Sequence, residues 1–252
     1  MAGQQLYLGD TLIYSESSFL GTTQVSFNNS PSIVTNNLLF YVNAGDVASY
    51  SGTGTTWYDL SGQTNTATLV NTPTFTSAGT GSYFTFSNAS NSYATTANTT
   101  SFGTNATFIA FINSAATQSG YNGILFSRTG GVANGMNTFD GIANALGYTW
   151  ENTQYQWYSG LIIPNNEWCM VAITITSTAA KAYLYKASGI TSSTNAVGHG
   201  NGGNINLNVA WDPFSATRSF DGKLNIAMCY NAALTQAQLD QNWNVLKNQV
   251  GL

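Results

Sequence analysis

From Asn37 to the end of the chain, short apolar runs recur between clusters of Gly, Asn, Ser and Thr, the rhythm of an all-β sandwich. The clearest runs are Leu38–Val42, Tyr83–Phe86, Thr107–Ile112, Gly123–Phe126, Ala145–Trp150, Trp168–Ile175, Lys181–Tyr185, Ile205–Trp211 and Lys223–Tyr230. Period-two alternation marks half-buried strands: Ile205, Leu207, Val209 and Trp211 share one face, and Asn206 and Asn208 take the other. Turn chemistry separates the runs at Ser61-Gly62, Gly130-Gly131, Asn165-Asn166 and Gly202-Gly203. The period changes once. Leu239, Trp243, Leu246 and Val250 follow one another at helical spacing and form a single apolar stripe. Thr235 and Gln238 complete a capping box, Leu234 and Leu239 a hydrophobic staple, and Gly251 stands where a C-terminal cap belongs. The pattern predicts an antiparallel β-sandwich with a C-terminal helix packed on it.

Residues 1–36 follow a different pattern. Two short strand-like pieces, Gln5–Leu8 and Thr11–Tyr14, flank Gly9-Asp10, and polar segments then lead to Ser30-Pro31. This reads as an arm or small hairpin preceding a main domain at 37–252. Its apolar residues Leu6, Tyr7, Leu8, Leu12, Ile13 and Tyr14 are the expected docking anchors, since short strands can extend a neighbour's sheet edge.

Composition narrows the function. Only 6% of residues are charged, against about 25% in ordinary soluble proteins, while aromatics reach 13%. Six Lys and Arg residues and a net charge of −4 argue against nucleic acid as a partner, which needs clustered positive charge. No stretch is apolar for long enough to cross a membrane as a helix, so membrane insertion is not expected. The start, MAGQQLYLGD, has neither the basic nor the apolar region of a secretory signal. Cys169 and Cys229 are far apart, form no CxxC pair, and read as small core residues.

Two stretches carry a family resemblance: LLFYVNAGDVASYSGTGTTWYDLSG (38–62) and SFDGKLNIAMCYNAALTQAQL (219–239). Both resemble the laminin-G-like (concanavalin A-like) jelly-roll domains of bacterial surface proteins and tailed-phage virion proteins. The central strands, in 146–173 and 181–189, are similar to the same family. The resemblance covers roughly 37–252 and implies an antiparallel jelly-roll β-sandwich. The motifs also make sense as turns: Asp59 can accept the amide of Ser61, and Asp221-Gly222 can turn the chain into its last strand. Trp57 and Leu60 read as core plugs, and Trp168 as the anchor of the buried strand that Asn165-Asn166-Glu167 opens.

Catalytic chemistry is hard to find. His199 is the only histidine; in Gly198-His199-Gly200 it reads as a solvated loop residue, and no GxSxG elbow marks a nucleophile. Glycosidases on this type of fold need two carboxyls about 5–9 Å apart. Glu16, Glu151 and Glu167 form no E-x-D-x-E pattern. Asp46, Asp59, Asp140, Asp212 and Asp221 are scattered, so no metal site is expected, and calcium, an optional cofactor in the family, is not predicted. The candidate ligand-binding residues are Tyr148, Trp150, Tyr155, Trp157 and Tyr158, whose rings either stack on sugar faces or fill the core and an interface.

The expectation is a non-enzymatic virion structural protein of a bacteriophage: a capsid decoration, fibre or tail adhesion module, docked through its arm. It would be made in the host cytoplasm and displayed on the virion surface. Its expected partners are other capsid or tail proteins and a host-surface glycan, with homo-oligomers allowed. The alternative expectation is a carbohydrate-binding surface module, and a third is a glycan-cleaving enzyme on the same fold.

Overall fold

A computed structural model describes residues 5–8, 11–15, 32–97, 100–115, 118 and 120–252. The chain divides into two units, Met1–Pro31 and Ser32–Leu252. In the first, β1 (Gln5–Leu8) pairs antiparallel with β2 (Thr11–Ser15). The side chains of the six docking candidates lie outside the described residues, as does Glu16.

The second unit is an antiparallel β-sandwich. Its strands, in chain order, are β3 (Leu38–Asn43), β4 (Thr56–Trp57), β5 (Ala67–Val70), β6 (Thr74–Thr76), β7 (Tyr83–Phe86), β8 (Tyr93–Thr96), β9 (Thr100–Phe102) and β10 (Ala106–Ser114). There follow β11 (Gly123–Ser127), β12 (Asn134–Thr138), β13 (Leu146–Thr149), β14 (Trp168–Ile175), β15 (Ala180–Lys186), β16 (Gly189–Asn195), β17 (Gly203–Ile205), β18 (Asn208–Val209) and β19 (Gly222–Tyr230). One sheet runs β16-β15-β14-β10-β19-β7-β6, with β3 also on β19; the other runs β13-β12-β11-β18-β8-β5-β4. A small pair, β17 with β9, stands apart from both.

β19 serves two partners on one edge. Gly222–Leu224 pair with β7 and Ile226–Tyr230 with β3, and the switch falls at Asn225, a bulge relative to β10. Asn225 is fully buried, and its amide donates to the Ser82 carbonyl (2.6 Å).

The central strands explain their unbroken apolar sequence. Phe108, Ala110 and Ile112 of β10 point into the core between the sheets, and Ile109 and Phe111 point the other way. That outer face is covered by α1 (Gln236–Leu246), whose Leu239, Trp243 and Leu246 pack on Phe111, Met170, Tyr185 and Met228. With both faces covered, alternation disappears from the sequence. The capping box at Thr235 and Gln238 forms as expected, and Leu234 is buried beside it. Gly251, at φ 77°, ends the short 3₁₀ turn that follows the helix.

Residues 32–36 are held to the sandwich. The Val34 amide donates to Asn242 Oδ1 (2.8 Å), and the Tyr230 hydroxyl donates to the Val34 carbonyl (3.0 Å). The Asp59 turn forms, with the Ser61 amide on Oδ1 (2.9 Å) and a second bond from the Tyr41 amide (2.9 Å). Trp57 is fully buried, whereas Leu60 and Trp168 are only half-buried. Both cysteines are free and buried, and burial pushes both thiols well above their ordinary range. The run read as Ile205–Trp211 is not one strand: it splits into β17 and β18, and Ala210, at φ 65°, turns the chain out of the sheet.

Candidate functional site

The five aromatic candidates do not form one platform. Tyr148 of β13 and Trp150, just after that strand, belong to the core between the sheets and are 1% and 0% exposed, so neither can stack on a ligand from solvent. Trp157 is partly buried against the Tyr148 ring (5.5 Å between centroids). Tyr158 is exposed but lies against Phe139. Of the five, Tyr155 lines an open cleft. The cause is the period of the strand: Thr149, between Tyr148 and Trp150, points to the opposite face of the sheet.

That opposite face carries a cleft of about 320 Å³, lined by Tyr121, Arg128, Ala133, Thr149, Asn152, Tyr155, Phe214 and Arg218. It lies beside the ends of β11, β12 and β13 and below the loop joining β18 to β19. Both arginines of the chain line it. Both are anchored on Asp212, which is fully buried. Arg128 grips this carboxylate through Nε and Nη2 (Nη2 to Oδ2, 3.0 Å), and Arg218 donates from Nη1 to Oδ2 (3.0 Å). The Phe214 amide donates to Oδ1 (3.1 Å).

The rings and guanidiniums then alternate. Arg218 Cζ lies 4.5 Å from the Tyr121 centroid and 4.2 Å from that of Phe214. Arg128 Cζ lies 4.9 Å from the Phe214 centroid and 5.6 Å from that of Phe126. Each such contact stabilises the cation by roughly 0.5–2 kcal/mol, depending on its desolvation. Phe214 is held between two cations while remaining 65% exposed, and Tyr155, 45% exposed, meets Tyr121 edge-on at 6.3 Å.

The backbone around the cleft is unusual. Tyr121, Glu151, Asn152 and Gln154 all have φ between 50° and 68°. A left-handed conformation is uncommon outside glycine, above all for a bulky residue such as Tyr121, and such strain collects at ligand sites. Hydrogen bonds hold it in place. The Tyr121 amide donates to the Thr138 carbonyl (2.9 Å), the Glu151 amide to Asn134 Oδ1 (2.9 Å), and the Ala133 amide to Asn152 Oδ1 (2.7 Å). The loop above is equally fixed: Trp211 stacks on Tyr93 at 4.1 Å, and its Nε1 donates to the Ser215 carbonyl (3.0 Å). Gly123 is required beneath that loop, because a Cβ there would sit 2.3 Å from the Trp211 carbonyl carbon.

Glu151 turns its carboxylate to the Gly200 amide (2.7 Å) and is not among the lining residues. Asp140 acts on the Tyr121 hydroxyl, whose pKa is raised first by burial and then by that carboxylate, against a lowering by Arg218. Among the described residues no group of three or more His, Cys, Asp or Glu is placed to hold a metal ion.

His199 departs from expectation. It is 8% exposed, not a solvated loop residue. Its Nδ1 lies 3.0 Å from the Thr176 carbonyl, which only accepts, so Nδ1 carries the proton and Nε2 accepts from the Tyr148 hydroxyl (2.7 Å). Asn195 in turn donates to that hydroxyl (3.0 Å). Burial lowers the His199 pKa, outweighing the raising effects of the Thr176 carbonyl and Glu151. The folded state therefore binds the proton less readily than the unfolded chain does. The neutral-His contribution is fully present above the unfolded-state pKa of about 6.5 and is lost as pH falls from there toward the lower folded value. Urea midpoints at pH 7.5 and pH 5 should differ in that direction, and the His199 part of the difference should vanish in His199→Gln. An unchanged pH dependence in that variant would refute the assignment.

No family model matches this chain, and no curated protein does. Solved structures do. Domain 4 of AbnA, a GH43 extracellular arabinanase from Geobacillus stearothermophilus, solved in complex with arabinotriose, aligns with a TM-score of 0.58 at 17% identity. The alignment covers 82% of this chain and 98% of that one. The Trypanosoma rangeli sialidase aligns with a TM-score of 0.58 at 13% identity, over 87% of this chain and 34% of its own. The botulinum neurotoxin serotype G binding domain aligns at 0.56 and 12%, over 84% and 51%. The fold is a jelly-roll-like β-sandwich. At these identities the likeness concerns the fold, and the chain spans about a third of the sialidase and half of the toxin domain.

Proposed function

We propose that the sandwich at Ser32–Leu252 is a non-catalytic carbohydrate-binding domain whose ligand occupies the Tyr121–Tyr155–Phe214 cleft. The observation that carries this reading is the cleft itself: exposed rings on a braced backbone, beside donors and acceptors from Asn152, Thr149 and the arginines. Sugars are bound by such a mixture, an apolar face on a ring and hydroxyls on fixed polar groups. No lining residue is a carboxylate, while glycoside hydrolysis usually needs a pair of them flanking the bond. The similar domains of the arabinanase and the toxin, one solved in complex with arabinotriose and the other a binding domain, support the reading by analogy.

Display on a phage particle, with the β1–β2 hairpin as the docking element, is a separate proposal that rests on the sequence: the family resemblance, the low charge, the separate arm and a start unlike a secretory signal. Deleting residues 1–31, the first unit, should then abolish incorporation into particles.

The binding proposal is tested on a panel of immobilised oligosaccharides, with titration calorimetry of any hit. Wild type should bind at least one saccharide, and Tyr155→Ala combined with Phe214→Ala should weaken it at least tenfold without changing the melting temperature by more than a few degrees. Both side chains are well exposed, so a folded variant is expected. Unchanged affinity in the double variant would remove the ligand from this cleft.

A further inference from the structure

The arginine pair says more about the ligand than its being a sugar. A buried Asp212 bonded to one guanidinium would be an ordinary structural ion pair; here two guanidiniums share it, so the group carries one net positive charge. The negative partner is fully buried behind them, and the arginine side chains keep 24% and 20% of their surface. The bonds they make use Nε and Nη2 of Arg128 and Nη1 of Arg218. Among the described residues nothing accepts from Nη1 of Arg128 or from Nε and Nη2 of Arg218. In a chain of net charge −4, both arginines thus line a single cleft with donors that no described residue takes.

Resting on the carbohydrate-binding reading, we propose that the cleft selects an acidic sugar, a hexuronate unit whose carboxylate meets the open edges of Arg128 and Arg218 while its ring lies against Tyr155 and Phe214. A guanidinium presents parallel N–H donors that match a planar carboxylate, a geometry that an ammonium does not offer. The stack fixes the planes of both guanidiniums between aromatic rings, so little side-chain freedom is lost on binding. A polyanion such as nucleic acid needs a row of cations, and only these two line the cleft. Asp140, exposed beside the Tyr121 hydroxyl, is the acidic group that works against the ligand.

The experiment titrates the full chain with oligogalacturonate, oligoglucuronate and oligomannuronate, each against its neutral methyl ester, which keeps the rings and linkages and removes only the charge. At least one acid should bind at least tenfold tighter than its ester, and the margin should shrink as salt is added. Asp140→Asn should tighten acid binding about twofold and leave the ester unchanged. Arg218→Lys, which keeps a cation for Asp212 but loses the planar fork, should reduce the acid's advantage with the protein still folded by circular dichroism. If esters or neutral glycans bind as well as the acids, the acid selectivity is wrong and the carbohydrate reading stands. If no saccharide of any kind binds, both fall together.

Discussion

Asp212→Ala is expected to lower the stability of the sandwich by about 3–5 kcal/mol, the range for breaking a buried ion pair by removing one partner. The side chain is fully buried and takes bonds from Arg128, Arg218 and the Phe214 amide. Without it, two guanidiniums are left three-quarters buried and facing each other across one phenyl ring, and a backbone amide loses its acceptor. For a domain of this size the melting temperature should drop by on the order of 10 °C. Asp212→Asn retains an acceptor for the amide and should cost less. Equal melting of Asp212→Ala and wild type would mean that the arginines are held by solvent and not by this carboxylate, and the cleft as described would not exist.

The second large effect is expected far from the cleft. Trp243→Ala should cost about 3–5 kcal/mol, the usual range for emptying a buried aromatic site. Trp243 is 7% exposed, stacks on Phe111 at 6.0 Å and meets Tyr185 at 5.5 Å, so its loss opens the helix-to-sheet interface at its centre. Asn244→Ala, on the exposed side of the same helix, should move the urea midpoint hardly at all. Similar losses in both variants would show that the helix is stabilised by propensity and not by packing. Saccharide binding by Trp243→Ala should be retained wherever the protein is folded, because none of the residues lining the cleft touches this interface.

These two sites were unequally legible in the sequence. The helix stripe, its capping box and the long strands β10, β14 and β19 were readable because apolar burial imposes a period or an unbroken run. β5, β6 and β16 were not. The last, GITSSTN, is a largely exposed strand of Ser and Thr with no alternation to read. In the stretch 146–150 the large rings are Tyr148 and Trp150, yet period two sends both to the core and leaves Thr149 to the cleft. Tyr121, Arg128, Phe214 and Arg218 went unread, and Asp212 was seen only as one of the scattered carboxylates, because the segments flanking β11 and the distant loop joining β18 to β19 bring them together. One signal was present: a chain with two arginines is spending both on something. His199 does lie on a loop, as its two flanking glycines suggest, but it is buried there, and sequence carries no hint that the Thr176 carbonyl and Tyr148 hydroxyl capture it.

The central claim is that a saccharide binds this cleft and not another face of the sandwich. Amide chemical-shift mapping of the isotope-labelled protein, titrated with its best saccharide, tests that most directly. The account predicts that the largest perturbations fall on Tyr121, Arg128, Ala133, Asn152, Tyr155, Phe214 and Arg218. Perturbations gathered instead on α1, on β16 or on the Asp59 turn would contradict it.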